Sequence, residues 1–173
     1  MEEVIVRAES PEDVKAIDVV NLSAFEGDAE AQLVDAVRRS PDFIRDLSLV
    51  AEINGRIVGH LLLSKAALEG EGGRKSVLVL GPMSVVPSQS HRGIGVALMQ
   101  AAVNRARDMR YTAIVIAGRP DYYERFGFKP GSEFGISTNL PVPEDAVTAI
   151  ELVPGALAGG GRVVYPAVFE AIY

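Results

Sequence analysis

The sequence predicts a mixed α/β domain, and three observations carry that prediction. Val77–Leu98 begins with a dense run of valine and leucine, which is typical of a central strand covered on both faces. Asn54-Gly55 separates two apolar segments and indicates a hairpin turn, because both residues tolerate positive φ. Thr112–Gly118 is a further buried strand, and a helix connects it to the central strand, so we expect these two strands to be parallel.

The composition indicates a single globular domain, residues 1–173, of which 48% are hydrophobic and 23% charged. A net charge of -6 argues against nucleic-acid or anionic-membrane partners, which require a basic face. The absence of cysteine and the presence of only two histidines make a disulfide framework or a zinc site implausible. The start of the sequence lacks a basic region followed by an apolar core, and no long apolar run occurs, so we expect a soluble cytoplasmic protein.

The first part of the chain is predicted to form a strand and two helices. Val4–Arg7 is the strand, and Ser10 followed by proline and two acids is a helix start. Gly27-Asp28 breaks this helix, and a second helix runs over Glu30–Arg39 until Pro41. The pair is expected to cover the sheet, although the turn between the helices could also border a substrate pocket.

The hairpin and the central strand follow. Leu49–Ile53 and Ile57–Ala67 are its strands, and Glu69–Lys75 is predicted to be a polar turn. Gly81-Pro82 interrupts the central strand, and because proline cannot donate to a ladder it predicts a bulge or bend there. Such a bend leaves backbone groups unpaired, and unpaired groups can bind a ligand.

The last part of the chain combines loops and strands. Gly131–Glu144 is a long loop, which in a compact domain is more often functional than idle. Val147–Val153 and Arg162–Val168 are the predicted final strands, joined by a loop over Pro154–Gly161. A final strand left exposed could pair with a second copy, which would give a homodimer.

A glycine turn between the central strand and the next helix predicts a phosphate site. In Arg92-Gly93-Ile94-Gly95 the glycines let the main chain approach an anion, and the first helical amides have no partner of their own. A dinucleotide fingerprint needs a third glycine, where Leu98 stands, and a carboxylate after the next strand, which is missing. No P-loop string occurs. A plain tight turn stays open as the alternative.

Two motifs resemble the GNAT-type N-acetyltransferase superfamily. The glycine turn is similar to its pyrophosphate signature, [QR]-x-x-G-x-[GA], although the Gln or Arg position is Ser90 here. About thirty residues later, Tyr123 stands four residues before Gly127-Phe128, which resembles the second signature. With GPMSVVP and the closing GRVVYPAVF, the chain resembles the YhbS-like branch over nearly its whole length. The resemblance implies a mostly antiparallel sheet with a splayed parallel pair and helices on both faces.

The resemblance also implies acetyl-CoA as co-substrate, an unidentified primary amine as acceptor and no metal. Backbone groups of Met83 and Val85 would bind the acetyl carbonyl and the pantetheine arm, and amides of Arg92–Val96 would bind the pyrophosphate. The full set of implied cofactor-binding residues is Met83, Ser84, Val85, His91, Arg92, Gly93, Ile94, Gly95, Val96, Tyr123 and Phe126.

The catalytic prediction rests on Tyr123 and His60. Tyr123 would protonate the leaving thiolate, or else it is a core aromatic with its hydroxyl at the surface. Members of the family often carry a carboxylate base on the central strand, but here the positions are Met83 and Ser84, both poor bases. His60 is the alternative base, because it titrates in the useful range, although a strand histidine can also be a packed structural residue. A rival function is a non-catalytic acyl-CoA-binding or sensor module.

Overall fold

A computed structural model describes residues 3–173, so the first two residues of the predicted domain 1–173 lie outside the described part. The strands are β1 Val4–Ala8, β2 Phe43–Ile53, β3 Arg56–Gly70, β4 Gly73–Val85, β5 Ala113–Ala117, β6 Lys129–Pro130, β7 Ile136–Thr138, β8 Val147–Glu151 and β9 Gly161–Val164. The α-helices are α1 Val14–Ala24, α2 Ala29–Arg38, α3 Ile94–Asp108 and α4 Pro120–Glu124. Short 3-10 turns lie at Pro11–Asp13, Pro87–Gln89, Gly131–Phe134, Glu144–Ala146 and Ala167–Ile172.

The strands form one nine-stranded sheet in the order β1-β2-β3-β4-β5-β8-β6, with β9 pairing with β3 and β7. Its central neighbours β2, β3 and β4 are antiparallel, and β4 and β5 are parallel. The predicted mixed α/β fold is therefore confirmed. The hairpin turn at Asn54-Gly55 is confirmed as well, because Ile53 pairs with Arg56 and both turn residues have positive φ.

Helices cover both faces of the sheet, and the alternation of the strands decides which residues face which helix. Val77 and Val79 of β4 pack in the cluster with α1 and α2, while Leu78 and Leu80 pack in the cluster with α3. Gly59 of β3 has a packing role that the sequence pattern did not reveal. A Cβ there would lie 3.0 Å from Ile94 Cγ2, so the missing side chain lets α3 approach the sheet closely.

The central strand β4 bends where the sequence predicts a bend. Leu61 pairs with Met83 and Leu63 with Leu80, so Gly81 and Pro82 together stand opposite Leu62. Beyond this bulge β4 leaves β5, because the parallel ladder comprises only Leu78 with Ile114 and Val79 with Val115. A gap therefore opens between the end of β4 and the end of β5.

The structure differs from the sequence predictions at three places. The predicted loop Gly131–Glu144 contains a 3-10 turn and the short strand β7, which pairs with β9. Glu69–Lys75 was expected to be a turn, but β3 and β4 run through it as a ladder and turn only at residues 71–72. Charged and glycine residues suggested a loop, but this end of the hairpin is held by pairing with β9, including Glu69 with Arg162. The predicted last strand Arg162–Val168 ends at Val164, and Pro166 precedes a 3-10 turn. In residues 3–173 no helix is long and apolar enough to span a membrane.

Candidate active site

The gap beside the bend of β4 is lined by backbone groups without strand partners. The Val86 amide donates to the Val58 carbonyl at 2.8 Å, so in this antiparallel ladder Ser84, two residues earlier, is also in a hydrogen-bonded pair, with His60. Met83 and Val85 alternate with them. Their N–H and C=O groups therefore point away from β3, into the gap that β5 has left.

The first turn of α3 lies next to this gap. Gly93 is the N-cap residue and has φ 76°, a left-handed conformation that glycine adopts without strain. The first amides of the helix have no acceptor within the helix and carry the positive end of its dipole. A Cβ on Gly95 would lie 3.0 Å from Tyr122 Oη and 3.9 Å from Met83 Cε, so the bend, α3 and α4 meet at this glycine.

Tyr122 is held at this junction by two arginines. The guanidinium carbons of Arg119 and Arg125 lie 5.4 Å and 4.8 Å from its ring centroid. Both cations are thereby positioned close to the first turn of α3. Neither arginine was identified from the sequence, although both flank the tyrosine motif.

Tyr123 is packed beneath Tyr122 and is only 7% exposed. Its ring lies 5.1 Å from that of Tyr122, edge to face, and 6.0 Å from Phe128. Burial raises the pKa of Tyr123 to about 12, against a smaller opposing effect of the Arg119 charge. The phenol is therefore neutral and able to donate a proton throughout the physiological range.

Two further tyrosines, from the end of the chain, pack together near the end of β5. Tyr173 Oη donates to the carbonyl of Ala117, the last residue of β5, at 3.3 Å. The Tyr165 ring packs 6.5 Å from that of Tyr173, and its buried hydroxyl makes no hydrogen bond within residues 3–173. The apolar and proline-rich context of these residues gave no sign of this placement.

His60 does not lie at this gap. Its side chain faces α1, is 0% exposed and has both ring nitrogens engaged: Nε2 lies 3.0 Å from Ser48 Oγ, and Nδ1 lies 3.4 Å from Asn21 Nδ2. Burial, with a smaller effect of the Arg38 charge, lowers the pKa of His60 to about 3. The prediction that His60 takes a proton directly from an acceptor amine is therefore wrong; the packed, hydrogen-bonded alternative describes it.

Ser84 also faces α1, where its hydroxyl donates to Asn21 Oδ1 at 2.8 Å. Its backbone pairs with β3, so it offers the gap neither its side chain nor its main chain, and a cofactor contact by Ser84 does not fit this geometry. The sequence analysis did not single out Asn21. The signal was present, because Asn21 follows Ile17 at helical spacing on the buried stripe of α1.

The remaining predicted residues lie around the helix start and α4. His91 and Arg92 are exposed in the turn before α3, and His91 has φ 66°. Phe126 lines a cleft of about 400 Å³ together with Arg107 and Arg125. Within residues 3–173, no three His, Asp or Glu side chains come together as a group that could hold a metal ion.

A larger cleft of about 680 Å³ lies at the other end of β3 and β4, beside Lys65, Arg74 and Glu170. None of the predicted site residues lines it. We place the candidate site at the gap beside the bend of β4, because open backbone groups and a helix N-terminus meet there, next to the two tyrosines of α4.

Comparison with known proteins adds independent findings. The family model described as the acetyltransferase (GNAT) family matches residues 17–128. The N-acetyltransferase YjhQ of Escherichia coli K12, itself uncharacterised, is 31% identical over 134 residues, covering 77% of this chain and 74% of its own. YhbS of the same organism, also uncharacterised, is 30% identical over 158 residues, covering 90% and 91%.

Crystal structures of relatives match the fold over almost all of the chain. YhbS from Escherichia coli in complex with CoA superposes with a TM-score of 0.89 at 27% identity, covering 98% of this chain and 93% of its own. A GNAT family acetyltransferase from Brucella melitensis in complex with acetyl-CoA gives a TM-score of 0.79 at 28% identity, covering 98% and 99%.

Proposed function

The chain belongs to the acetyltransferase (GNAT) family, and from that premise we propose that it transfers the acetyl group of acetyl-CoA to a primary amine of a small molecule or peptide. The observation that carries this proposal is the open backbone of Met83 and Val85 beside the first turn of α3. Relatives bind CoA and acetyl-CoA in their crystal structures, which supports the same co-substrate here.

The residues present fit acetyl-CoA. The amides of Arg92–Val96 are proposed to bind the pyrophosphate. Gly95 fits this role because it lies in the first turn of α3 and has no side chain; a Cβ at this position would contact Tyr122. Met83 and Val85 are proposed to bind the pantetheine arm and the acetyl carbonyl. At the nucleotide end, Phe126 offers a ring and Arg107 and Arg125 offer cations in one cleft. A contact by His91 remains a prediction.

The chemistry is a direct attack of the amine nitrogen on the thioester carbonyl. The negative charge that develops on the carbonyl oxygen is proposed to be stabilised by a backbone N–H at the bend, which is already oriented before the reaction. The C–S bond then breaks and the thiolate leaves. Tyr123 is proposed to give this thiolate its proton, because a phenol with a pKa of about 12 is available as a neutral donor.

An acceptor that arrives as the ammonium ion must lose one proton before its attack, and the attacking nitrogen loses a further proton as the amide forms. Because both ring nitrogens of His60 are engaged, we propose that the first proton leaves to solvent, or that the amine arrives as the free base, and that the proton released as the amide forms replaces, through solvent, the one that Tyr123 gives to the thiolate. The lack of an open base at the bend also favours the second candidate, a module that binds acyl-CoA without turnover. The intracellular location and the homodimer remain predictions, and β9, the final strand, is paired on both sides by β3 and β7, so an exposed final strand does not support the homodimer.

Ligand binding is tested by thermal shift with acetyl-CoA, CoA, NAD and ATP. At about a hundredfold excess over Kd, acetyl-CoA and CoA should stabilise the protein by about 2.7 kcal/mol, whereas NAD and ATP should have little effect. Gly95→Glu should abolish the shift, because it places a side chain and a negative charge in the phosphate site. Gly72→Glu is the matched control, since a Cβ there meets nothing within 4 Å. An undiminished shift in Gly95→Glu would contradict the proposed cradle.

Turnover is tested with a panel of amines and acetyl-CoA while free thiol is measured. Release of thiol that depends on one class of amine supports the transferase and identifies the acceptor. Tight CoA binding without thiol release across amines, polyamines and peptides supports the sensor module.

A further inference from the structure

A chain of buried side chains crosses the sheet face beneath α1 and ends at the bend of β4. Its members come from the segment after β1, from α1 and α2, and from β2, β3 and β4. In order they are Arg38, Glu9, Ser48, His60, Asn21 and Ser84. The reaction described above uses none of these side chains, although Glu9, Ser48, His60, Asn21 and Ser84 are all at most 5% exposed.

The hydrogen bonds of this chain have a fixed direction. Ser48 Oγ donates its one proton to Glu9, so it accepts from His60 Nε2 at 3.0 Å. His60 Nδ1 is then an acceptor, facing Asn21 Nδ2 at 3.4 Å. The same amide nitrogen donates to the Ile17 carbonyl at 3.2 Å, which fixes its orientation, because a flipped amide would set two acceptors against each other.

The orientation of Asn21 leaves its oxygen for Ser84. Ser84 Oγ donates to Asn21 Oδ1 at 2.8 Å, so every donor from Ser84 onward points toward Glu9. At the far end, Arg38 Nε and Nη2 donate to the two Glu9 oxygens at 3.1 Å and 3.0 Å. The ion pair with Arg38 holds the Glu9 carboxylate in place. The hydrogen bonds that lead from Ser84 to Glu9 therefore restrain the position of the Ser84 side chain.

This chain is not built to conduct protons. The Asn21 amide is a donor and an acceptor but not a titrating group, so it interrupts any relay from Ser84 to His60. What the chain can do is hold a position.

The position it holds is the middle of the segment that carries the open backbone groups. Ser84 is tied to His60 twice, directly through the backbone ladder and indirectly through Asn21. Met83 and Val85, on either side, direct their N–H groups into the gap. Fixing Ser84 therefore fixes the direction of both neighbouring amides.

We infer that the chain from the Glu9–Arg38 pair to Ser84 is a positioning device for the backbone donors at the bend of β4, with Asn21 and Ser84 as positioning residues. The inference rests on the proposed function, because it assigns a purpose to donors that are proposed to bind the acetyl carbonyl. Without the tie, the strand end can shift, and misplacement of a reacting group by about 1 Å costs up to about a hundredfold in rate.

The test measures polarisation of the bound carbonyl directly and needs no acceptor. Acetyl-CoA labelled with ¹³C at the carbonyl is bound to the protein, and its C=O stretching band is recorded by isotope-edited infrared difference spectroscopy. The variants are Ser84→Ala and Asn21→Leu, with Ser84→Thr as a rescue that restores a hydroxyl. Thr148→Val is the control, because Thr148 is buried but its hydroxyl has no partner within residues 3–173.

The parent should lower the carbonyl frequency relative to free acetyl-CoA, and Ser84→Ala and Asn21→Leu should reduce that shift by roughly half or more. Ser84→Thr should recover it, Thr148→Val should match the parent, and the Kd for CoA should stay within about threefold. A parent-like band in folded Ser84→Ala overturns the inference and leaves the proposed function standing. A parent that fails to bind acetyl-CoA overturns the proposed function itself. Should Asn21→Leu not fold, Ser84→Ala, which removes a single oxygen atom, decides alone.

Discussion

At the bend of β4, one face of the sheet presents backbone hydrogen-bond donors, whereas the other is built from side chains that bond to one another. We call the first, beside α3, the open face and the second, beside α1, the closed face. On the α3 face, the donors are the backbone amides of Met83 and Val85, which point away from β3, together with the first turn of α3. On the α1 face, side chains hydrogen-bond to one another in a continuous chain from Arg38 to Ser84. An open set of donors suits a ligand that arrives and leaves, whereas a closed set gives the rigidity that such donors need.

The largest effect on the closed face is expected when the ion pair between Arg38 and Glu9 is broken. Arg38→Met leaves the Glu9 carboxylate, with a side chain only 3% exposed, without its cation. Removing one partner of a buried pair costs about 3–5 kcal/mol of unfolding free energy, which chemical denaturation should show. The matched control is Arg39→Met at the C-cap of the same helix, where the pair with Asp35 is exposed and contributes about 0.5 kcal/mol or less. Equal losses in the two variants would mean that the chain has no special anchor.

The open face is tested through its acid. Tyr123→Phe should lower turnover by roughly a hundredfold while the Kd for CoA stays the same, because a positioned proton donor is lost but no backbone donor is. Tyr122→Phe should have a much smaller effect on turnover. Since burial raises the pKa of Tyr123 to about 12, deprotonation of this phenol should produce no basic limb in the rate profile below about pH 11. Parent-like turnover in both variants would assign the proton to solvent.

The pH dependence of protein stability tests the burial of His60 on the closed face. Burial, and to a lesser degree the Arg38 charge, lowers the pKa of His60 from 6.5 to about 3. On acidification, this histidine binds a proton in the unfolded chain but not in the folded protein. The stability that the buried neutral imidazole contributes is therefore fully present above pH 6.5 and is lost as the pH falls toward 3. At pH 5 the free energy of unfolding should be about 2 kcal/mol lower than at neutral pH, because each pH unit costs about 1.4 kcal/mol.

His60→Gln should remove this slope from a series of denaturation curves between pH 7.5 and 5. His91→Gln, at the exposed second histidine, should keep the slope of the parent. If His60→Gln instead retains the slope, the buried histidine is not its source.

The open face could be predicted from the sequence because its signals are local. Gly81-Pro82 indicates a bulge by the chemistry of proline, and the spacing of Gly93 and Gly95 before a helix indicates an anion site. The tyrosine motif likewise places Tyr123 within a few residues of Gly127-Phe128. Each of these inferences needs only the neighbouring residues.

The closed face could not be predicted, because its partners lie far apart in sequence. Glu9 and Ser48 are separated by 39 positions, and Asn21 and Ser84 by 63. The sequence places His60 in a predicted strand, but it does not show that Asn21 and Ser48 would engage both ring nitrogens of His60. Without those partners, a titrating histidine near the bend is predicted to be a base.

The hydrogen-bonded side chains from Arg38 to Ser84 also constrain how these positions can change in evolution. Each member holds a hydrogen bond that its neighbour needs, so changing one position alone leaves a buried group unsatisfied, at about 1–3 kcal/mol. Replacing both partners of a hydrogen bond by apolar side chains of similar shape is nearly neutral only where neither of them holds a further bond. Asn21 bonds both Ser84 and His60, so a change at Asn21 should be accompanied among relatives by changes at both of these positions, recorded as covariation.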